Sequence, residues 1–533
     1  MFKVVKRDGN IVEFDLNKIV MVITKAFDAT GRNYHPSIIE TLALKVTSKF
    51  DEKISKGLIS VEDIQDLVEE TLSENGYADV SKAYILYRKQ REKTRNISKA
   101  LDDYKGIIDS YLNDKSEKIE GVYSIGGLIT SNSSALTKNY WLDDIYDEKI
   151  REAHENGDIY LHDLSMLSGE NIGLSIGKLI EEGFGGVCGM AYALKPKHFS
   201  SFISQLTKYI EVVQYEWAGS ISINNFDYYL SRFIRQDNLD YKEVKQGIQT
   251  LIYELNVTTR WGYASPFTCL CLDLFDEEYQ KEMDMINKAI KEVMIEGDSK
   301  SNPFTYPVIC YNLKKDLVDD NLIYPNAIFV SGENKNLSSY YGYKEDLGSL
   351  GTTSINLGRL VKNYKNEEEY FNSVDKVLAL TLRSLNQKSD IIKKLFSEGL
   401  YPLSKKYLSD LNEFSLTVDL VGIKDLSDFN YDLAIKTMAY ISSKLPENVY
   451  LRASNSINAA LSFGKKDGLD KMYDLNISTK KDIFDFIDEL SLYNEYFSGG
   501  MLAEIKTNGF NLDIINKIAG NSSLSYFKIV VEN

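Results

Sequence analysis

Short apolar runs recur at residues 159–161, 268–274, 306–312, 327–330 and 352–357, and long stretches with helical periodicity lie between them. Runs of that length bounded by turn residues read as buried strands. Strands alternating with long helices restrict the chain to a layered or barrel-shaped α/β fold. One stretch organises the rest. HENGDIYLHDLSMLSGENIGLSIGKLIEEGFGG, residues 154–186, reads as a helix end, a Gly157-Asp158 turn, a buried strand, a Gly-rich loop and a helix. It is the expected wall of a pocket.

At 533 residues the chain accommodates two to four domains, or one large barrel with a small appendage. A net charge of −16 disfavours nucleic acid and anionic membrane as partners. A phosphate-bearing ligand therefore needs a local cluster of Lys, Arg and backbone N–H groups. The four cysteines, Cys188, Cys269, Cys271 and Cys310, form no CxxC pair, so neither a structural zinc site nor a disulfide framework is expected. Cys269 and Cys271 lie two apart on a predicted strand, share a face, and read as small buried hydrophobes. The start, MFKVVKRDGNIVEF, has no signal-peptide core, and no run reaches the roughly 20 apolar residues of a membrane span. The expectation is a soluble, cytoplasmic protein.

In the first hundred residues, Arg7-Asp8-Gly9-Asn10 breaks an alternating run and predicts a hairpin. Helical patterns follow at 16–30, 36–50, 61–75 (with Ser60 as cap) and 77–99, then a connector helix at 104–113 and a charged link at 113–120. Lys3, Lys6 and Arg7 crowd the hairpin, and Lys18 opens the first helix. Such a cluster holds polyphosphate, or it is a solvated charged edge. Residues 121–136 read as loop, 175–182 as helix, and 220–234 as a polar–aromatic loop. GLSIGK at 173–178 is one residue short of a P-loop and lacks its Ser/Thr; the glycines of 183–189 do not fit GxGxxG. His154 and His162 flank the Gly-Asp turn and read as structural rather than metal-binding.

VVKRDGNIVEFDLNKI (4–19) and AYILYRKQREK (83–93) resemble the ATP-cone, the nucleotide-sensing domain that precedes many ribonucleotide reductases. The resemblance implies ATP or dATP as effector, with Val5, Lys6, Arg7 and Lys18 near the nucleotide. AHENGDIYLHDL (153–164), QYEWAGSISINNFDYYL (214–230), TTRWGYASPFT (258–268), EGDSKSNPFTYP (296–307), GSLGTTSINLGRL (348–360) and GLYPLSKKYL (399–408) resemble consecutive motifs of the anaerobic, class III ribonucleoside-triphosphate reductases. The implied fold is a ten-stranded α/β barrel of two five-stranded halves, usually dimeric, preceded by a small, mainly helical ATP-cone with a hairpin lid. The implied domains are residues 1–93, a helical connector at 94–120, and a barrel at 121–533.

The family's chemistry passes a radical from a C-terminal glycine to a finger-loop cysteine and then to the ribose; a cysteine on the first barrel strand acts on the reductive side. This chain departs from that pattern. Asn171, in SGENIGL, stands where the resemblance places the first-strand cysteine, and the finger loop at 333–351 has Ser338 and Ser339 but no cysteine. YNEYFSGGMLAEI (493–505) matches, yet no glycyl-radical motif or zinc-binding CxxC pair follows, so the barrel is expected to lack that module, with no zinc and no glycyl radical. The expected function is a nucleotide-binding, catalytically degenerate homologue, a pseudoenzyme acting as sensor or as regulatory partner of a genuine reductase, dimeric or bound to it. Two alternatives stand beside it: a working reductase with radical and thiol groups supplied in trans, and a nucleotide-sequestering binding protein.

Overall fold

The computed structural model describes residues 3–6, 11–50, 53–54, 57–113, 123–187, 189–257, 265–331, 345–408, 410–475 and 483–531, with backbone only over 89–104. Arg7, Cys188, Ser338 and Ser339 fall outside the described residues. The chain divides into two compact units, Met1–Asp114 and Lys115–Asn533. Among the described residues no helix is long and apolar enough to cross a membrane.

In the first unit β1 (Lys3–Val5) pairs antiparallel with β2 (Ile11–Glu13) and parallel with β3 (Leu58–Ser60). Four helices pack on this sheet: α1 (Leu16–Thr30), α2 (Pro36–Ser48), α3 (Val61–Glu74) and α4 (Ala78–Asn113). The Ser60 cap is the expected one, and Asp15 adds a second that the sequence reading did not name. Asp15 accepts from the N–H of Asn17 at 3.0 Å, and Ser60 from that of Asp63 at 3.0 Å. Apolar spacing on each helix turns Ile23, Phe27, Ala43, Val46, Val68 and Leu72 into one dry core. The fourth helical pattern and the connector are one helix, because residues 100–103, which join them, contain no Gly or Pro.

The second unit is a barrel. Its first half runs β5 (Asn171–Leu174), β6 (Ile221–Ile223), β7 (Thr268–Leu272), β8 (Val308–Leu313) and β9 (Ile328–Ser331), all parallel. The second half is β10 (Gly348–Asn356), β11 (Ser415–Val421), β12 (Val449–Ala453), β13 (Leu502–Thr507) and β14 (Tyr526–Val531), with parallel pairing of β10 to β11, β11 to β12 and β13 to β14. The halves meet antiparallel twice, β10 on β5 and β14 on β9. The seam between β12 and β13 is made by the chain entering β13. Gly499 N–H donates to Leu451 O at 2.7 Å, and Ala453 N–H to Gly500 O at 3.3 Å. An extra strand, β4 (Ile159–Leu161), lies antiparallel on β10. The expected ten-stranded, two-half barrel is thus present, and helices cover its outer face.

Strand alternation sorts the side chains. Leu270, Leu272, Ile309, Tyr311, Phe329 and Phe527 join the large core under the helices. Their neighbours Cys269, Cys271, Cys310, Ile328, Val330 and Tyr526 form a separate cluster on the opposite face, which is the lumen.

Two loop expectations are corrected. Residues 125–140 form a helix, Ile125–Tyr140, not a loop. Ser124 caps it by accepting from Gly127 N–H at 3.0 Å, and that cap outweighs the low helix propensity of the Gly and Ser residues. Residues 220–234 form β6 and the helix Phe226–Asp237. Asn225, at φ 51°, turns the strand directly into the helix, whose Phe226, Leu230, Phe233 and Ile234 are buried at helical spacing.

Candidate functional site

In the first unit Lys6, at the end of β1, and Lys18, in the first turn of α1, line a cavity of about 470 Å³. Its walls are Val4, Val12, Phe14, Ile64, Val68 and Tyr84. Neither lysine has an ion-pair partner among the described residues. Two uncommitted ammonium groups at a helix N-terminus, over an apolar floor, suit a polyanion carrying an apolar moiety. Tyr84 sits at the back, its phenol pushed up to about 12 by burial, so it is neutral. Val5 pairs with Ile11 and Ser60 in the sheet, and its neighbours Val4 and Lys6 face the cavity instead.

In the barrel, Gly157 ends the helix Glu148–Asn156 at φ 92°, a conformation that favours glycine, and turns the chain into β4. Arg359 fixes the turn, donating to Asn156 O at 2.6 Å and to Asp158 Oδ1 at 3.1 Å, while its Nε reaches Asp467 at 2.6 Å. His154 Nδ1 accepts from Leu161 N–H at 3.2 Å. Burial, reinforced by the charge of Lys466, lowers its pKa to about 3, so the ring is neutral. His162 Nε2 lies 2.7 Å from Ser354 Oγ, and burial lowers its pKa too. Buried Lys388 secures the His162-Asp163 backbone by donating to His162 O at 3.3 Å.

Asn171 opens β5, and its carboxamide oxygen accepts from the N–H of Ser220 at 2.6 Å and from its hydroxyl at 2.9 Å. Its Nδ2 is buried without a partner among the described residues, as is Thr417 Oγ1 on β11. Just before Asn171, Glu170 accepts from Ser349 Oγ at 3.1 Å and from the Thr352 hydroxyl. Arg452 on β12 is 1% exposed; its Nε donates to Asp419 on β11 at 2.6 Å, and Nη2 lies 3.9 Å from Glu170. One guanidinium between two carboxylates ties β5, β10, β11 and β12 together inside the barrel. The sequence reading missed this network because its members lie up to 282 residues apart, Glu170 to Arg452, in no local motif. Gly169 is needed beside it: a Cβ there would lie 2.4 Å from the ring of Trp217.

The cysteines converge. The sulfurs of Cys269 and Cys271 are 3.8 Å apart, as expected for one strand face, and Cys310 on β8 brings its sulfur to 3.3 Å from Cys269. Among the described residues these three are the one group of donors spaced to hold a metal ion. The chain carries no CxxC pair, so its residues do not make the double-CxxC zinc set.

A closed barrel of two opposed five-stranded halves with a charged lumen is the architecture of ribonucleotide reductases. A solved anaerobic ribonucleotide reductase superposes with a TM-score of 0.68 over 82% of this chain and 88% of its own, at 17% identity. The Thermotoga maritima enzyme in complex with dATP and CTP does so at 0.66 over 82% and 91%, at 19% identity. Residues 119–329 and 326–439 match the anaerobic ribonucleoside-triphosphate reductase model, and residues 2–93 the ATP cone domain. The chain belongs to the anaerobic ribonucleoside-triphosphate reductase family. The Haemophilus influenzae anaerobic ribonucleoside-triphosphate reductase is 25% identical over 75% of this chain and 65% of its own length. The Salmonella typhimurium protein is 23% identical over 79% and 69%. Over 98 residues the chain is 42% identical to the vitamin B12-dependent ribonucleoside-diphosphate reductase of Thermoplasma acidophilum, covering 17% of this chain and 12% of that protein.

Proposed function

We propose that this chain binds ATP or dATP in its N-terminal unit and regulates, rather than performs, ribonucleotide reduction. The observation that carries this is Asn171. A carboxamide occupies the first-strand position where reductive chemistry needs a thiol, and Ser220 holds it in place. The finger-loop segment, residues 333–351, also has no cysteine to carry a thiyl radical. A serine O–H is too strong a bond to replace S–H in hydrogen exchange with a sugar C–H. The nucleotide half of the reading is supported by Lys6 and Lys18 over the 470 Å³ cavity and by the ATP cone match. The partner half, a second copy or a genuine reductase, is supported by the exposed apolar stripe Ile125, Ile129, Leu136 and Tyr140 on one helix. The orphaned Asn171 Nδ2 and Thr417 Oγ1 favour a polar guest in the lumen.

A second reading keeps reductase activity, with the radical supplied in trans. The three lumen thiols of Cys269, Cys271 and Cys310 favour it, because they place oxidisable, electron-donating sulfur inside the barrel. The two readings part in one experiment. The full chain is incubated anaerobically with an activated glycyl-radical subunit, a ribonucleoside triphosphate and formate or dithiol reductant. The regulatory reading expects no deoxynucleotide above background, with saturable ATP or dATP binding by calorimetry. Deoxynucleotide production that depends on Cys269 or Cys310 would establish the second reading instead.

A further inference from the structure

The lumen face of β7 and β8 carries three sulfurs, Cys269 and Cys271 on β7 and Cys310 on β8, with Val308 paired to Cys269. Cys269 and Cys271 flank Leu270, which points the other way into the main core. Cys271 is the register partner of Cys310. Each of the three is at most 1% exposed, and their sulfurs all lie within 4.8 Å of one another. Ile328, Val330, Val308 and Leu502 surround them. The nearest acid in sequence, Asp273, is already engaged by Asn312 at 2.8 Å and Lys314 at 2.7 Å.

We propose that Cys269, Cys271 and Cys310 form a three-thiolate site for one thiophilic d10 metal ion of the zinc class on the barrel wall. The spacing fits. A tetrahedral zinc ion with Zn–S bonds of about 2.3 Å holds its sulfurs about 3.8 Å apart. The Cys269–Cys271 separation has that value, and the 3.3 Å Cys269–Cys310 contact opens to it by a small rotation of one χ1. The donor set selects the ion. Three soft sulfurs with no carboxylate or imidazole in the group bind zinc or copper(I) over magnesium, calcium or manganese. The charge balances. Three thiols give up three protons on loading, and three thiolates around a divalent ion leave a net −1, in place of an uncompensated −3. A packing role alone needs neither three sulfurs nor their convergence from two strands, since Val or Ala fills such positions equally well.

The site is independent of the regulatory reading, and its test does not use activity. The full-length protein is reduced, stripped of metal and titrated anaerobically with zinc against a chromophoric chelator, then with cobalt(II) as the optical probe. The expected result is one ion per chain, a sulfur-to-cobalt charge-transfer band and release of about three protons per ion bound. Cys310→Ala should weaken zinc binding at least about 100-fold, since loss of even an outer-shell partner costs up to that much. Cys188→Ser should leave it unchanged. In wild-type protein zinc should raise the thermal unfolding midpoint of the metal-stripped chain, a readout that stands even if a variant fails to fold. The proposal fails if the cobalt spectrum lacks the band, if zinc leaves that midpoint unchanged, or if binding persists in Cys310→Ala.

Discussion

Asn171 Oδ1, at the start of β5, accepts two hydrogen bonds from Ser220, just before β6: one from its N–H at 2.6 Å and one from its hydroxyl at 2.9 Å. Both groups are buried, so Asn171→Ala leaves a backbone donor and a hydroxyl unsatisfied. The expected loss is about 1–3 kcal/mol. Ser220→Ala removes only the hydroxyl contact and costs less. Urea unfolding monitored by tryptophan emission measures both, and equal losses would show that the backbone bond contributes nothing.

Arg452 sits between Asp419 and Glu170, with both it and Asp419 nearly devoid of solvent contact. Removing the guanidinium strands two buried carboxylates. Arg452→Ala should destabilise the barrel by about 3–5 kcal/mol. The triple change Arg452→Met, Asp419→Leu, Glu170→Gln should recover most of that, because it removes the stranded charges too. A chemical denaturation series on the three proteins decides it.

His154 is held neutral, with its pKa lowered to about 3 from 6.5 by burial and then by Lys466. The unfolded chain takes up a proton near pH 6.5 that the folded chain refuses until about pH 3. The contribution of His154 to stability is therefore fully present above pH 6.5 and declines as pH falls through that window, at up to about 1.4 kcal/mol per pH unit. His154→Gln should flatten this part of the stability–pH curve. An unchanged slope in the variant would rule the histidine out as its source.

Lys6 and Lys18 face one cavity from two elements. If both meet phosphate, Lys6→Ala and Lys18→Ala should each weaken ATP and dATP binding about 10- to 100-fold. Calorimetric affinity should also fall steeply with added salt. Lys3→Ala, on the same strand but outside the cavity lining, is the control and should bind normally.

Much of the fold was legible because its signals are local. The Ser60 cap, the apolar spacing on the first helices and the Gly157 turn each lie within a few residues of what they determine. Cys269 and Cys271 on one face followed from strand alternation alone. The helix at Ile125–Tyr140 was hidden because Gly126, Gly127 and a serine-rich middle resemble a loop, while the capping Ser124 looks like any other serine. The lumen was not legible for a different reason. Arg452 meets Glu170, and Cys310 meets Cys269, only after strands far apart in sequence are laid side by side, and each looks ordinary where it stands.

The seam at Leu451, Ala453, Gly499 and Gly500 has a consequence for solubility. β12 and β13 are the two strands that would otherwise end the sheet, each with a row of unanswered backbone donors and acceptors. By reaching across, the chain entering β13 turns two templates for intermolecular pairing into an interior joint. Loosening it would create two sticky borders at once, so the first symptom of damage at Gly499–Gly500 should be self-association rather than unfolding.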